Sequence, residues 1–141
     1  MPEDNTPQLS GWGRIFGPGR ELLSENLERL TRNAVLSRGL GRSYGDSALP
    51  PPDVLDVAGT RLADRILGFD EDTGRLHVEA GISLQQLNRV FMPRLWFVPV
   101  SPGTSFVTVG GMVAADVHGK NHHVAGCFGA VLVFVLVSRR R

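Results

Sequence analysis

The sequence predicts an α+β fold, and three observations predict it. Strand-like runs meet in hairpins, two helical segments interrupt them without a strict strand-helix alternation, and two glycine-rich segments punctuate the chain. With 42% of its 141 residues hydrophobic, the chain is long enough for one core of ordinary size.

Taken in order, residues 21–32 carry Leu22, Leu23, Leu27 and Leu30 at helical spacing behind the break Gly17-Pro18-Gly19, which predicts a short amphipathic helix. Residues 33–36 run apolar into the first glycine segment. Pro50-Pro51-Pro52 closes that segment, because prolines cannot sit inside a regular strand. Residues 54–57 and 65–69 read as strands. Asp70-Glu71-Asp72-Thr73-Gly74 reads as a hairpin loop into a strand with Leu76, Val78 and Ala80 on one face and Arg75, His77 and Glu79 on the other. At Ser83 a helix begins with complete local chemistry: Ser83 as N-cap, Gln86 as its capping-box partner, and Ile82 placed to staple onto Leu87. It ends at Pro93, and residues 95–100 read as a further strand. The pair Gly110-Gly111 opens a short helix through Met112 to Asp116. Residues 131–137 are the most apolar run; they suit a strand, whereas a membrane-spanning helix takes about 20 residues.

Fifteen basic and fourteen acidic residues leave a net charge of +1, so bulk charge favours neither nucleic acid nor an anionic membrane as a partner. The single cysteine, Cys127, rules out an internal disulfide framework. Met1-Pro2-Glu3-Asp4-Asn5 is acidic and polar, without the basic start and apolar run of an export signal. The expected compartment is the cytoplasm.

Chemistry concentrates in three segments. Gly39, Gly41 and Gly45 supply flexible backbone donors beside the Arg42 cation and the Ser43 hydroxyl, an inventory suited to a pyrophosphate; the plain alternative is a tight surface turn. The spacing is not that of a dinucleotide-binding Rossmann turn, since Tyr44 stands where the third glycine belongs and that glycine falls at Gly45. No phosphate loop of the G-x-x-x-x-G-K-[ST] type occurs either. The second segment joins Thr104, Ser105 and Thr108 to Gly110 and Gly111; it reads as an anion site on a helix start or, alternatively, as a close packing contact. The third, His118-Gly119-Lys120-Asn121-His122-His123, reads as a polar pocket wall in which His118 and Lys120 contact a cofactor edge or an anionic substrate. A metal site from His118, His122, His123 and Cys127 is the lesser reading, because Gly119 and Gly126 interrupt any helix that would align them. No metal is expected.

These words, Gly39-Leu40-Gly41-Arg42-Ser43-Tyr44-Gly45-Asp46, Pro102-Gly103-Thr104, Val107-Thr108-Val109-Gly110-Gly111 and Asp116-Val117-His118-Gly119-Lys120-Asn121-His122-His123, resemble the FAD-binding half of the vanillyl-alcohol-oxidase superfamily of FAD-linked oxidases. The resemblance is closest to the decaprenylphosphoryl-ribose 2'-oxidase branch, includes Gly11-Trp12-Gly13-Arg14, and spans residues 9–129. It implies two small α/β subdomains with FAD extended between them. By position, Ser37, Arg38, Gly39, Leu40, Gly41, Arg42, Ser43, Tyr44, Gly45, Asp46 and Ser47 would cradle the pyrophosphate. Gly103, Thr108, Val109, Gly110, Gly111, Ala115, Asp116, Val117 and His118 would line the flavin and its linker. Tyr44, His118 and Lys120 would face the substrate, Lys120 attracting a phosphate and His118 orienting a sugar hydroxyl, while the catalytic base is not assigned.

The implied reaction is oxidation of a secondary alcohol of a small-molecule substrate, a phosphorylated sugar by the nearest branch, with hydride passing to the flavin. Many relatives carry a histidine in the first loop that bonds covalently to the flavin. Arg42 fills that slot here, which implies noncovalent FAD. The implied organisation is an N-terminal extension over residues 1–20, a partial FAD-binding domain over 21–130, and an atypical apolar strand with a basic tail over 131–141. The domain is read as incomplete at its C-terminus, as a truncation or frame change near residue 130 would leave it. The alternative is a noncatalytic remnant or module that self-associates through that strand.

Overall fold

A computed structural model describes residues 6–131, and these form two compact units, one up to Ala63 and one from Asp64. In the first unit, strands Gln8–Ser10 (β1) and Phe16–Pro18 (β2) pair antiparallel with Leu9 opposite Gly17. A tight 3-10 turn at Trp12–Arg14 joins them. Its last two residues are left-handed, Gly13 at φ 78° and Arg14 at φ 61°, and the Gly11 amide closes it by donating to the Ile15 carbonyl at 2.6 Å.

Strands Arg20–Leu23 (β3), Ser37–Arg38 (β4) and Asp56–Gly59 (β5) build a parallel sheet with β5 in the middle. Arg20 aligns with Asp56 on one side of β5, and Ser37 with Ala58 on the other. Val57, Ala58, Ala48 and Ala63 are buried in this unit. The helix expected over residues 21–32 is therefore corrected in its first half. Residues Glu21, Leu22 and Leu23 are strand, and the helix is confined to Leu27–Thr31 (α1), capped by the Asn26 side chain accepting from the Arg29 amide at 2.9 Å. The leucine spacing suits a helix, but pairing with β5 and the demand for Glu21 beside a buried arginine override it. Residues 8–20 lie within this unit.

In the second unit, Ile66–Asp70 (β6) and Arg75–Val78 (β7) form the expected hairpin, Phe69 opposite Leu76. Leu84–Phe91 (α2) follows, and its capping box is complete: the Ser83 hydroxyl accepts from the Gln86 amide at 3.2 Å, and the Ser83 amide donates to Gln86 Oε1 at 2.9 Å. Ile82, Leu87 and Phe91 pack with Phe69, Leu76, Val78 and Trp96, so the staple and the hairpin share one core. A second cluster joins Leu84, Val100, Met112 and Phe128.

The strand expected over residues 95–100 does not form. Leu95 is left-handed at φ 64°, closing the 3-10 turn Met92–Arg94. Trp96, Val98 and Val100 do turn inward while Leu95, Phe97 and Pro99 are exposed. The alternation belongs to an extended segment without a ladder, not to a sheet. Val109–Ala114 (α3) opens just before the glycine pair and stops short of Asp116, whose φ of 42° cannot continue it. A short helix, His122–Ala125 (α4), and a 3-10 turn, Phe128–Val131, follow. The rest of the strand expected over residues 131–137 lies outside the described residues. Among the described residues no helix is long and apolar enough to cross a membrane.

Candidate functional site

The first glycine segment leaves the end of β4 as a loop held from below by Arg38. Arg38 is buried, and its guanidinium is fully engaged: Nε to Glu21 Oε1 at 2.6 Å, Nη1 to the Ala48 carbonyl at 2.5 Å, and Nη2 to the Ser10 carbonyl at 2.6 Å. One side chain thus ties β3, the far end of the loop and the β1 hairpin together. Arg38, which the resemblance places in the pyrophosphate cradle, frames the loop with its side chain. Above it lies Gly41, buried and left-handed at φ 67°, where a Cβ would fall on the Arg38 guanidinium. Gly45 is left-handed at φ 62°, and Gly11 of the hairpin sits so close that a Cβ there would meet the Gly45 carbonyl at 2.9 Å.

Among the described residues, the amides of Leu40, Gly41, Ser43, Tyr44 and Gly45 reach no protein acceptor. Residues 42–47, which include Asp46 and Ser47, are exposed, and Tyr44 is 82% exposed. Gly39 and Leu40 are half-buried, and Ser37, at the end of the sheet, is exposed. The Arg42 side chain braces the loop by donating to the Leu40 carbonyl. Left-handed glycines and successive amides without protein acceptors, with a cation alongside, suit a diphosphate.

The second segment is built differently. Thr108 is buried and caps α3, its hydroxyl accepting from the Gly111 amide at 3.1 Å. The Val109 amide donates to the Ile82 carbonyl and the Gly110 amide to the Ala80 carbonyl, each at 2.8 Å. The amides of Val109, Gly110 and Gly111 at the start of α3 are thereby engaged within the protein. Gly110 is the close-packing glycine of the alternative reading, since a Cβ would sit 3.1 Å from the Ala80 side chain and carbonyl. What the segment does expose is a shelf of small groups: Gly111, Ala114 and Ala115, continued by Asp116, with Gly103 also exposed and Val117 half-buried.

His118 is exposed and bridges antiparallel to Cys127, and its ring lies 5.2 Å from that of His122 in an edge-on contact. Lys120 is exposed and makes no ion pair among the described residues. Their loop is pinned through Asn121, whose Nδ2 donates to the Pro99 carbonyl at 3.2 Å, and through Gly119, where a Cβ would meet the Ser101 carbonyl at 2.6 Å. His118 and Lys120 thus share one loop of the second unit, while Tyr44 belongs to the first unit. For the metal reading, the described residues assemble no group of three His, Cys, Asp or Glu side chains fit to hold an ion. His122 Nδ1 lies 3.1 Å from the Gly119 carbonyl, a local contact.

Sequence reasoning missed Glu21, which pairs with Arg38, and Ser101, whose hydroxyl is buried without a partner among the described residues. It also left Trp12 and Arg14 without a role. An acidic residue in a leucine-rich segment followed by a basic residue before a glycine loop is the signal that was available for the first pair.

A family model described as an FAD binding domain matches residues 26–138. A decaprenylphosphoryl-beta-D-ribose oxidase of Mycolicibacterium smegmatis is 43% identical over an alignment of 136 residues, which covers 88% of this chain and 29% of that protein. A D-2-hydroxyglutarate dehydrogenase of Escherichia coli is 30% identical over 100 residues, 70% of this chain and 10% of that protein. Among solved structures, an alkyldihydroxyacetonephosphate synthase superposes with a TM-score of 0.63 at 17% identity, over 77% of this chain and 23% of that one, a likeness of fold. The chain therefore spans under a third of the length of each of these relatives.

Proposed function

The chain belongs to the FAD binding domain family of the FAD-linked oxidases, and from that premise we propose that it is the cofactor-holding part of a flavin-dependent oxidoreductase that oxidises a secondary alcohol of a sugar, in particular a phosphorylated one. The observation that carries the reading is the first loop: five amides without protein acceptors among the described residues, in a loop framed by a buried arginine. Leu40, Gly41, Ser43, Tyr44 and Gly45 hold the diphosphate through those amides, and Arg42 adds charge. The shelf of Gly111, Ala114 and Ala115 lets a flat ring approach closely, because no long side chain intervenes. When bound, FAD supplies the hydride acceptor. Lys120 attracts the substrate phosphate, His118 orients the hydroxyl that loses its proton, and exposed Tyr44 stands on the substrate side. Arg42, a guanidinium where relatives place a linking histidine, leaves FAD noncovalent. A cytoplasmic setting belongs to the same reading, supported by Cys127 as the one cysteine.

The test is a visible spectrum of the purified chain after incubation with FAD and removal of free cofactor. The expected result is a bound flavin spectrum whose colour passes wholly into the supernatant on acid precipitation. A colourless protein would overturn retained binding, and colour remaining with the precipitate would overturn the noncovalent assignment.

A further inference from the structure

The β1–β2 hairpin lies along the far half of the first glycine loop, and it does so through glycines. Gly11 faces the Gly45 carbonyl, where a Cβ would come to 2.9 Å. Gly17 faces the Leu49 side chain, where a Cβ would come to 3.3 Å, and Gly19 faces the Pro50 ring, where a Cβ would come to 2.8 Å. Gly11 and Gly19 are buried by these contacts. Hairpin and loop thus touch in register from Gly45 to the start of the proline run, and only residues without a side chain let them lie this close.

The hairpin is not free to retreat. The Arg38 guanidinium holds the Ser10 carbonyl at 2.6 Å with the same fork that holds the Ala48 carbonyl at 2.5 Å, and the Gly19 amide donates to the Pro7 carbonyl at 2.8 Å. Dependence runs the other way as well. β1 and β2 have three residues each and form a two-stranded sheet of their own. Such a hairpin is marginal in water, so its order derives from the loop on which it rests. The loop atom nearest Gly11 belongs to Gly45, which is left-handed at φ 62° and whose amide is among those without a protein acceptor. Close-packed backbone passes a displacement on, and a hydrogen bond weakens steeply once its donor is misaligned.

Building on the diphosphate reading of this loop, we propose that the hairpin is the template that holds the loop in its diphosphate-binding shape, with Gly11 as the positioning residue. Gly11 acts through the Gly45 peptide and not by contact with the cofactor. The family model matches from residue 26, so this element lies ahead of the matched region. Preorganising the donors in this way raises affinity without adding a contact to the ligand.

The experiment measures FAD and ADP dissociation constants of the full chain by calorimetry, with phosphorus NMR of the bound diphosphate, in wild type, Gly11→Ala and Gly17→Ala. ADP carries a diphosphate without the flavin. Gly11→Ala should weaken both ligands at least fivefold per folded molecule, by similar factors, and should move the bound phosphorus resonances. Gly17→Ala, whose methyl meets a side chain that can turn aside, should stay within twofold of wild type. A second measurement needs no variant: amide exchange at Gly11, whose N–H donates to the Ile15 carbonyl at 2.6 Å. Saturating FAD should slow it at least tenfold, because a ligand that requires the template makes opening it costlier. Should Gly11→Ala fail to fold, that exchange measurement decides. Wild-type affinity with unmoved phosphorus resonances in Gly11→Ala would overturn the proposal and leave the cofactor reading standing. Equal losses in the two variants, or exchange at Gly11 indifferent to FAD, would do the same. A wild-type chain that binds neither FAD nor ADP would overturn both.

Discussion

Arg38 and Glu21 set the first loop at the level of single atoms. The pair is largely buried, and Glu21 Oε2 also meets exposed Arg61 at 3.4 Å, so the carboxylate serves two cations. Breaking a buried ion pair by removing one partner costs about 3–5 kcal/mol, because the other charge is left without compensation. Glu21→Gln should therefore destabilise the chain by about 3 kcal/mol in urea unfolding. Arg38→Lys should not rescue the loop, since one ammonium cannot span Glu21, Ala48 and Ser10 in the fork geometry of a guanidinium. Unchanged stability in Glu21→Gln would show that the sheet does not depend on the pair. A second carboxylate acts locally. The Thr73 hydroxyl, outweighing a slight effect of burial, and then the amides of Thr73 and Asp72 hold the Asp70 carboxyl below its usual range. A lowered folded pKa means that Asp70 favours the hairpin above the unfolded carboxylate value and loses that contribution as pH falls through the lowered one. Asp70→Asn should flatten the acid limb of the stability curve and leave the neutral plateau's shape intact.

At the scale of elements, local chemistry and tertiary demand divide the chain between what the sequence discloses and what it hides. The α2 helix was legible because Ser83, Gln86 and Ile82 carry its start within a few residues; the β6–β7 hairpin was legible because Asp70 and Gly74 set its turn. Ser83→Ala should cost about 1 kcal/mol, measured by thermal unfolding, and also release the Gln86 side chain that bridges to Asp64 at 2.6 Å. The β3 strand was hidden because its partner β5 is more than thirty residues away, as the Arg20–Asp56 register shows, and parallel pairing leaves no turn signal. Residues 95–100 misled in the opposite sense: alternating burial is a property of extended backbone, and only a neighbouring strand makes it a sheet. The glycine segments were legible as glycine segments, but not their division of labour. Gly41 and Gly45 serve open donors, whereas Gly110 serves contact with Ala80. Gly110→Ala should accordingly lower stability by about 1–3 kcal/mol through overpacking. FAD affinity per folded molecule should be retained, and a loss of affinity without a loss of stability would show that Gly110 acts on the cofactor and not on packing.

At the scale of the whole molecule, the two compact units acquire a common dependence if one dinucleotide draws on both glycine segments. A ligand that binds only the folded state adds RT ln(1 + [L]/Kd) to stability, about 2.7 kcal/mol at a hundredfold excess over Kd. Amide exchange from fully opened states slows in proportion, by about a hundredfold under that condition. Residues that report each unit are at hand. Ala58 in β5 donates its amide to the Leu36 carbonyl at 2.9 Å, and Leu87 in α2 donates to Ser83 at 3.0 Å; both residues are buried. If both segments hold FAD, saturating cofactor should slow exchange at Ala58 and at Leu87 together and by similar factors. Slowing at Ala58 alone would confine binding to the first loop, with its open amides, and would make the small-residue shelf beside α3 a surface for something other than the flavin.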